Sequence, residues 1–311
     1  MDMTRYGSLW AAIPQTAGKV WWVAPSASYT VAGETFAASD NNRGDAPNNA
    51  LLTLAQAVTN ATANAGDVIV LLPGAHSWSA SVALSKAGLT ITGLPGGAGN
   101  FVRPRASITT SADDEIINVT AADIEIAHLR VIPVTTRAGI DFTTAANRLC
   151  VHDCSFDLST PAASTGTKGV AATTAAQAPQ HILVRNCYFE CDGAQGPGVE
   201  VGDTLDYVVQ DNLFVQSAGT WAAAASGAGV TNQHGTWLRN SFLPQAGSTM
   251  TIGIRGSDLT SASSVAVIAN FFGDDVTKGV DDFGSGDAYL AENYQASIGA
   301  GSGGAIVTAI T

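Results

Sequence analysis

Two acidic residues, Asp157 and Glu190, occupy equivalent places in two similar stretches of the sequence and form its best candidate catalytic pair. Each directly follows the Phe that closes an eight-residue segment, LCVHDCSF at 149–156 and ILVRNCYF at 182–189. If these segments are adjacent strands, the carboxyl groups lie about 5 Å apart, the separation found in retaining glycosidases. Outward acids on such a scaffold are more often solvated surface residues, so both interpretations stay open. Two further titratable residues are expected nearby, His181 and Asp192.

Two other groups of side chains are of the types that bind metal ions. The acidic residues between positions 274 and 287 offer the oxygen ligands that Ca²⁺ prefers, but their spacing is not that of an EF-hand and a solvated turn explains them equally well. Zinc would require the four cysteines to converge. They form two C-x3-C pairs, but Cys150 is expected to point outward and Cys191 lies beyond the closing Phe, so the four do not converge and we predict no metal and no cofactor. The acidic residues are Asp274, Asp275, Asp281, Asp282 and Asp287, and the cysteines are Cys150, Cys154, Cys187 and Cys191.

The charge balance restricts the choice of partner. The formal net charge is −12, from 26 acidic and 14 basic residues. A nucleic-acid-binding protein would show a basic stripe, and long-range repulsion disfavours anionic membranes and polyanionic substrates. No apolar run reaches the roughly 18 residues that a membrane span needs. The first residues lack the features of a secretion signal, so we expect synthesis in a host cytoplasm.

The elements that would position these residues are repeats. Five segments align without a gap and end in Phe, and that Phe recurs at intervals of 33, 25, 28 and 30 residues. A unit of this length with one short β-branched run predicts a solenoid whose coils stack to bury a common core. The position two residues before the Phe is Cys or Asn, which predicts a ladder of small polar side chains at a bend. The ladder positions are Cys154, Cys187, Asn212, Asn240 and Asn270, and the Phe positions are Phe156, Phe189, Phe214, Phe242 and Phe272.

The repeat extends more loosely from residue 124 to residue 295, and Val68–Leu72 and Leu89–Thr92 read as earlier strands. The segments Pro161–Gln180 and Ser217–Asn232, rich in small residues, are predicted to leave the rod as side loops. An apolar face of Leu51, Leu54, Ala55 and Val58 predicts a helix over 49–65, with Asn48 or Asn49 as its N-cap.

These features resemble the right-handed parallel β-helix of pectate-lyase-like proteins and phage tailspikes. The order helix, then GDVIVLLPG at 66–74, then LTITG at 89–93 is similar to the way many of them begin. The resemblance implies an all-β solenoid of nine or ten rungs, with the helix closing its N-terminal end. It divides the chain into an arm at 1–38, the β-helix at 39–295 and a Gly-rich tail at 296–311.

The resemblance also bears on catalysis. Lyases of this family use acids that hold Ca²⁺ together with an Arg or Lys base, and no rung here combines the two. Polygalacturonase-like hydrolases carry four motifs in a fixed order, whereas this chain has NQHG at 232–235 before GDD at 273–275 and lacks the others. We therefore predict a protein without enzymatic activity. If it is an enzyme after all, Asp157 and Glu190 are its catalytic residues.

Two functions remain in view. The opening hundred residues resemble small β-helical structural proteins of tailed phages, which implies a capsid decoration (cement) protein, a homotrimer bound to phage capsid or tail proteins in the virion. The alternative is a tailspike-type protein that binds or cleaves a host surface glycan. Aromatic residues are dense in the first 38 positions, as at interface hot spots. We name five of them as interface candidates, although a segment that folds back over the first rungs would also bury them: Tyr6, Trp10, Trp21, Trp22 and Tyr29.

Overall fold

The computed structural model describes residues 18–95, 104–134, 136–159, 166–172, 179–202, 204–226, 234–256, 264–281, 287–296 and 305–307. In these ranges the chain passes in turn through three parallel sheets, once per coil, and forms a parallel β-helix. The predicted all-β solenoid of nine or ten rungs is confirmed. No helix in the described part of the chain is long and apolar enough to span a membrane.

The strands are numbered β1 to β31 along the chain, and most of them belong to the three long sheets. Sheet I contains β1 (Val20–Val23), β4 (Val68–Leu71), β7 (Thr90–Thr92), β10 (Glu125–Ala127), β13 (Cys150–His152), β16 (Ile182–Arg185), β19 (Tyr207–Gln210), β23 (Gly235–Leu238), β26 (Ser264–Ile268) and β29 (Asp287–Ala291). Sheet II contains β5 (Gly74–Trp78), β8 (Ala106–Thr110), β11 (Leu129–Val131), β14 (Ser155–Asp157), β17 (Tyr188–Cys191), β20 (Leu213–Gln216), β24 (Ser241–Pro244), β27 (Phe271–Phe272), β30 (Asn293–Gln295) and β31 (Ala305–Val307). Sheet III contains β6 (Val82–Leu84), β9 (Ile117–Val119), β12 (Ala138–Phe142), β15 (Lys168–Ala171), β18 (Val199–Glu200), β21 (Thr220–Trp221), β22 (Ala225–Ser226), β25 (Thr249–Arg255) and β28 (Val276–Asp281).

The interior of sheet II is a stack of aromatic rings. The five predicted Phe residues are register partners on successive strands and have no solvent exposure. Their ring centroids are 4.7, 4.8, 4.7 and 5.0 Å apart, with interplanar angles of 14° or less. This spacing follows from the separation of about 4.8 Å between hydrogen-bonded strands. The Phe column that the repeat predicted is confirmed.

Glycines on sheet III make room for that stack. A Cβ at Gly253 would lie 2.5 Å from the Phe272 ring, and one at Gly198 would lie 3.0 Å from Phe189. At these positions of sheet III, no side chain larger than that of Gly fits beside the Phe rings. The glycines that contact the stack in this way are Gly169, Gly198, Gly253 and Gly279.

The bend from sheet I to sheet II carries the predicted Asn ladder. Asn212 donates from its backbone and side-chain nitrogens to Asn240 Oδ1, at 3.1 and 3.0 Å, and Asn240 bonds Asn270 in the same way. Asn293 continues the ladder. The left-handed conformation at this bend belongs to the residue before the Asn, as at Asp211 with φ 56°. The Asn therefore stabilises the bend through hydrogen bonds to the next coil and not through an unusual backbone conformation of its own.

The N-terminal aromatic segment is part of the rod from residue 18 onward. Strand β1 pairs with β4 in sheet I, and a hairpin of β2 (Ser28–Val31) and β3 (Glu34–Ala37) covers the outer face of the first rungs. Trp22 and Tyr29 are buried in this layer, and Trp21 donates from Nε1 to Asp67 at 3.2 Å. Residues 18–38 therefore fold back over the first rungs, as one of the two interpretations expected. The solenoid begins at β1, before the predicted boundary at residue 39. The other two interface candidates lie outside the described residues, Tyr6 and Trp10.

The N-terminal helix is shorter than predicted. Helix α1 spans Leu54–Asn60 and buries Leu54, Ala57 and Val58, whereas Ala55 is exposed. Its N-cap is Thr53, whose Oγ1 accepts a hydrogen bond from the Gln56 N–H. Asn48 and Asn49 belong instead to a 3₁₀ turn at Pro47–Asn49. The helix cannot start earlier because Leu51 bridges to Val23 in extended conformation.

Two further expectations are corrected. The segments predicted as side loops contain the sheet III strands β15, β21 and β22, which are too short and too rich in small residues to show an alternating pattern. The segment 296–311, set apart as a Gly-rich tail, contains the strand Ala305–Val307, which pairs antiparallel with β30 of the same chain.

Candidate functional site

The predicted carboxylate pair lies on the outer face of sheet II. Asp157 and Glu190 are register partners on β14 and β17, so the expected adjacency of their rungs is confirmed. Asp157 is not a free carboxylate, however, because it accepts hydrogen bonds from Arg130 Nη2 and from the Ser159 hydroxyl. Burial would raise the pKa of Asp157, but these two donors outweigh it and lower the pKa. Asp157 thus acts as the counter-ion of Arg130.

The two titratable residues expected near this pair contact other groups. His181 is at the turn that leads into sheet I, with Nδ1 3.6 Å from an Asp206 carboxylate oxygen. His234 approaches the same Asp206 at 3.4 Å, so this acid stands between two exposed imidazoles. Asp192 is 3.5 Å from the Gln195 side-chain nitrogen.

A second polar group, which the sequence analysis did not identify, lies on the outer face of sheet I. His152 is bonded through Nε2 to Glu125 at 2.8 Å and through Nδ1 to Asp153 at 2.7 Å. Thr90 donates to the other Glu125 oxygen at 2.9 Å, and the His128 ring contacts His152 edge to face. Since both ring nitrogens of His152 have carboxylate partners, this histidine holds the two acids together rather than offering a free base.

Electrostatics agree with that arrangement. Burial would lower the pKa of His152, but the hydrogen bonds to Glu125 and Asp153 prevail and raise it. The same bond from His152 lowers the pKa of Glu125. Burial lowers the pKa of His128, which lacks such a bond. The raised pKa of His152 favours the charged imidazolium between the two carboxylates.

The outer face of sheet III carries a row of register partners along the rod. From β9 to β28 their side chains are polar on every rung except that of Ala171, which is apolar and fully buried. Lys168 Nζ bonds Glu200 at 2.8 Å across adjacent strands. We call this set the sheet III row, and it consists of Asn118, Asp141, Ala171, Glu200, Ser226, Arg255 and Asp281.

One end of the sheet III row is acidic. Asn118 donates to Glu115 Oε1 at 2.8 Å, and Asp141 is largely buried beside it. Burial, followed by a hydrogen bond with Asp114, raises the pKa of Glu115. A carboxyl group with a raised pKa is the kind of residue that can supply a proton. This acidic end is therefore a candidate position for a general acid.

A sequence signal for sheet III existed. The tripeptides GID at 139–141, GVA at 169–171, GVE at 198–200, GIR at 253–255 and GVD at 279–281 form a second repeat. Its Gly contacts the Phe stack or its neighbourhood, its branched residue enters the core, and its third residue enters the sheet III row. The repeat is concealed because loops of different length separate its copies.

The cysteines do not form a metal site in the described structure. All four are free, and Cys154 and Cys187 are buried at the ladder position as expected. Cys191 bonds Gln195, and burial raises its pKa to about 12. Cys150 lies on the outer face of sheet I, away from the other three. Among the described residues, no three His, Cys, Asp or Glu side chains are placed to hold a metal ion.

The acidic cluster near the C terminus is only partly described. Asp281 pairs with Lys278 at 3.0 Å. Asp282 and the side chain of Asp287 lie outside the described residues. The described residues therefore do not test the choice between a cation site and a solvated turn at 274–287.

Comparisons with known proteins support the fold. No protein-family model and no curated protein sequence matches the chain. Among solved structures, it is similar to the pectin methylesterase PemA from Erwinia chrysanthemi, with 12% identity and a TM-score of 0.57 over 93% of this chain and 92% of that one. YbhC of Escherichia coli gives 11% identity and a TM-score of 0.58 over 91% and 86%. The pectin methylesterase from Aspergillus niger gives 13% identity and a TM-score of 0.51 over 81% and 84%. At these identities the similarity establishes the parallel β-helix fold.

Proposed function

We propose that the chain is a non-enzymatic structural protein of a phage virion, a capsid decoration protein that stabilises the head. The observation that carries the proposal is that each of the three outer faces contains ionisable groups paired with one another. Arg130 holds Asp157 on sheet II, His152 lies between two acids on sheet I, and Lys168 holds Glu200 on sheet III. Catalysis by acid and base needs groups that exchange protons with a substrate, whereas these groups stabilise a static surface.

The sequence supports the virion assignment more directly than the fold does. The opening hundred residues resemble small structural phage proteins, and the net charge of −12 suits solubility at high copy number. The proposal includes synthesis in the host cytoplasm and association with capsid or tail proteins as an oligomer. It involves no nucleic acid, membrane or cofactor.

The test is the addition of the purified chain to phage shells that lack it. We expect the chain to bind in a fixed ratio to the major capsid protein, at shell lattice points visible by electron microscopy. Shells treated in the same way with an unrelated β-helix protein are the control. Absence of binding, or binding without a fixed ratio, contradicts the decoration role.

A second candidate is a tailspike-type protein that binds or cleaves a host surface glycan. Two observations favour it: the similar solved structures include pectin methylesterases, and the acidic end of the sheet III row has an acid with a raised pKa. The fold comparisons favour this candidate over the first one. Its catalytic residues would be Asp141 and Glu115, or the pair Asp157 and Glu190.

Reducing-sugar and ester release from host polysaccharides distinguishes the candidates. The decoration role predicts no product above that of a heat-denatured sample. Product release that Asp141→Asn abolishes would establish the glycan-active candidate at sheet III. Release that only Asp157→Asn with Glu190→Gln abolishes would place the activity on sheet II.

A further inference from the structure

The outer face of sheet II has a gap in a column of large side chains. In register order along the bend, the outward residues are Tyr188, Leu213, Ser241, Phe271 and Tyr294. Ser241 is the one small side chain among these five, and it lies between Leu213 and Phe271. The strands of Leu213 and Phe271 are two strand spacings apart, roughly 9–10 Å. One flat ring therefore fits above Ser241, about as far from each neighbour as the rings of the Phe stack are from one another.

The aromatic side of this gap is held in a fixed orientation. The Phe271 and Tyr294 rings stack with centroids 5.3 Å apart and an interplanar angle of 14°. They retain 37% and 42% of their accessible surface, so the stack faces solvent. A ring that enters the gap would extend this stack by one member. Because the two aromatic rings already restrain each other, little side-chain freedom is lost when a ligand binds.

A recess opens at the gap, where sheet II meets the bend from sheet I. It has a volume of about 480 Å³, and Leu213, Ser241 and Leu243 line its sheet II side. This volume lies within the range of small-molecule binding sites. The two leucines supply an apolar surface, while Ser241 supplies a hydroxyl group at the position of the gap.

Planar polar side chains line the bend side of the recess. Each of them directly follows a strand of sheet I and has a left-handed backbone, with φ between 51° and 56°. The next residue of each coil is buried at the ladder position, so these side chains face outward. They form a column on four successive rungs, about 4.8 Å apart. The column consists of Asp153, Asn186, Asp211 and Arg239.

Three groups in the recess have unused hydrogen-bonding capacity. Asp153 binds His152 through Oδ2 at 2.7 Å. Within the described part of the chain, no hydrogen bond reaches the other Asp153 oxygen, the Asn186 amide or the Ser241 hydroxyl. The carboxylate oxygen is an acceptor, whereas the amide and the hydroxyl both donate and accept. A ligand that satisfies all three must offer donors and acceptors side by side.

A sugar ring meets both requirements of the recess. Its hydroxyl groups donate and accept, and its C–H face can lie against the exposed Phe271 ring and exclude water there. An aromatic side chain of a partner protein would also fill the gap. It would, however, take water away from Asp153, Asn186 and Ser241 without replacing the lost hydrogen bonds, which is costly.

Charge restricts the kind of sugar. The recess is lined by two carboxylates and one guanidinium, and Arg239 is already engaged with Asp211 through two hydrogen bonds at 2.7 and 2.8 Å. The whole chain has a net charge of −12, so an acidic sugar is repelled at long range as well. We propose that this recess binds a hexose ring of an uncharged glycan, stacked on Phe271 and hydrogen-bonded to Asp153, Asn186 and Ser241.

This inference goes beyond the proposed decoration role and does not depend on it, since a static rod can hold a sugar without cleaving it. The test is isothermal titration calorimetry of the purified full chain with maltohexaose, cellohexaose and mannohexaose. Hexagalacturonic acid is the acidic probe. We expect saturable binding of at least one neutral hexasaccharide and no binding of the acidic one.

Two variants locate the site. Ser241→Phe supplies the missing ring of the column from the chain itself, so it should weaken sugar binding about 30-fold or more while the unfolding midpoint stays equal or rises. Asn186→Ala removes one hydrogen-bonding group and should weaken binding about 5- to 10-fold. Thr236→Phe is the matched control, because it adds a ring at another partly exposed hydroxyl residue, on the outer face of sheet I. It should bind sugar as the parent does.

Several outcomes would overturn the proposal. These are no binding of any of the three neutral hexasaccharides, equal binding of hexagalacturonic acid, binding that Ser241→Phe retains, or an equal loss in Thr236→Phe. Loss of shell binding by Ser241→Phe in a chain that binds no sugar would assign the recess to a protein partner instead. Sugar binding, shell binding and sugar release are separate measurements, so failure here is distinguishable from failure of the decoration role.

Discussion

Individual titratable residues of this chain connect neighbouring parts of the fold through hydrogen bonds that the sequence does not predict. His152 illustrates the point, because one imidazole joins acids from two places in the fold, Glu125 one rung earlier and Asp153 next in the chain. The side chain of His152 is only 10% exposed, while those of the acids are about 40% exposed. Solvent weakens each bond, but their sum still favours the charged imidazole.

The pH dependence of stability follows from His152. A group with a raised pKa in the folded state contributes stability that is complete below its unfolded pKa, about 6.5, and is lost as the pH rises through the folded value. We expect His152→Gln to lower the free energy of unfolding by about 1–2 kcal/mol near pH 5.5, and by clearly less near pH 8.5. Urea unfolding at the two pH values measures this. An equal loss at both pH values would show that the imidazolium is not what stabilises the group.

The Asn ladder makes a second residue-scale prediction. Asn240 Oδ1 accepts two hydrogen bonds from Asn212, and its side-chain nitrogen donates to Val209 and Asn270. Asn240→Ala leaves buried donors without partners and should cost about 2–4 kcal/mol. Thr236→Ala on the half-exposed outer face of sheet I is the matched control, expected within about 0.5 kcal/mol of the parent. Equal stability of both variants would contradict the ladder.

At the scale of residues, the sequence predicted which positions are neighbours but not which side chains are in contact. Alignment on the closing Phe fixes the register, which is why the adjacency of Asp157 and Glu190 could be predicted. The alignment does not tell which long side chain reaches across a rung. Arg130 comes from a coil that closes with Val131, and its contact with Asp157 depends on side-chain conformation. The His152 group escaped notice for the same reason.

At the scale of elements, the three sheets differ in how well their strands can be predicted from the sequence. Sheets I and II were predictable because they join in one eight-residue segment with alternating burial and a marker Phe. Sheet III strands such as β18 and β22 have two residues each, too few for a period-two pattern. Helix α1 was extended too far because Leu51 fits a helical face by spacing, although it pairs with Val23.

The contact between sheet III and the Phe stack is open to a direct test. Gly253→Ala would bring a methyl group to 2.5 Å from Phe272, and we expect a loss of about 1–3 kcal/mol from overpacking. Gly193→Ala is the control, since the nearest atoms to its Cβ would be those of the Gln195 side chain, at 3.3 Å or more. Phe272→Leu should recover part of the loss when combined with Gly253→Ala. Strictly additive losses in the double variant would mean that the two residues are not in contact.

At the scale of the whole molecule, the first described rung is already covered on its outer face. Strand β1 begins at Val20 and its outer face is covered by the β2–β3 hairpin. Deleting residues 1–15 should therefore leave the circular dichroism spectrum and the unfolding midpoint close to those of the full chain, while reducing binding to phage shells. A truncated chain that unfolds more easily would show that these residues complete the core. Unchanged shell binding would remove them from the attachment surface.

We propose above all that this β-helix acts as a static binding rod and not as a catalyst. The most direct measurement is the binding ratio of chain to major capsid protein on shells that lack it, for the parent and for Asp157→Asn with Glu190→Gln. We predict the same saturating ratio for both proteins, with no sugar released from host polysaccharide by either. Failure of the parent to bind shells, together with glycan cleavage that the double variant loses, would contradict the static role.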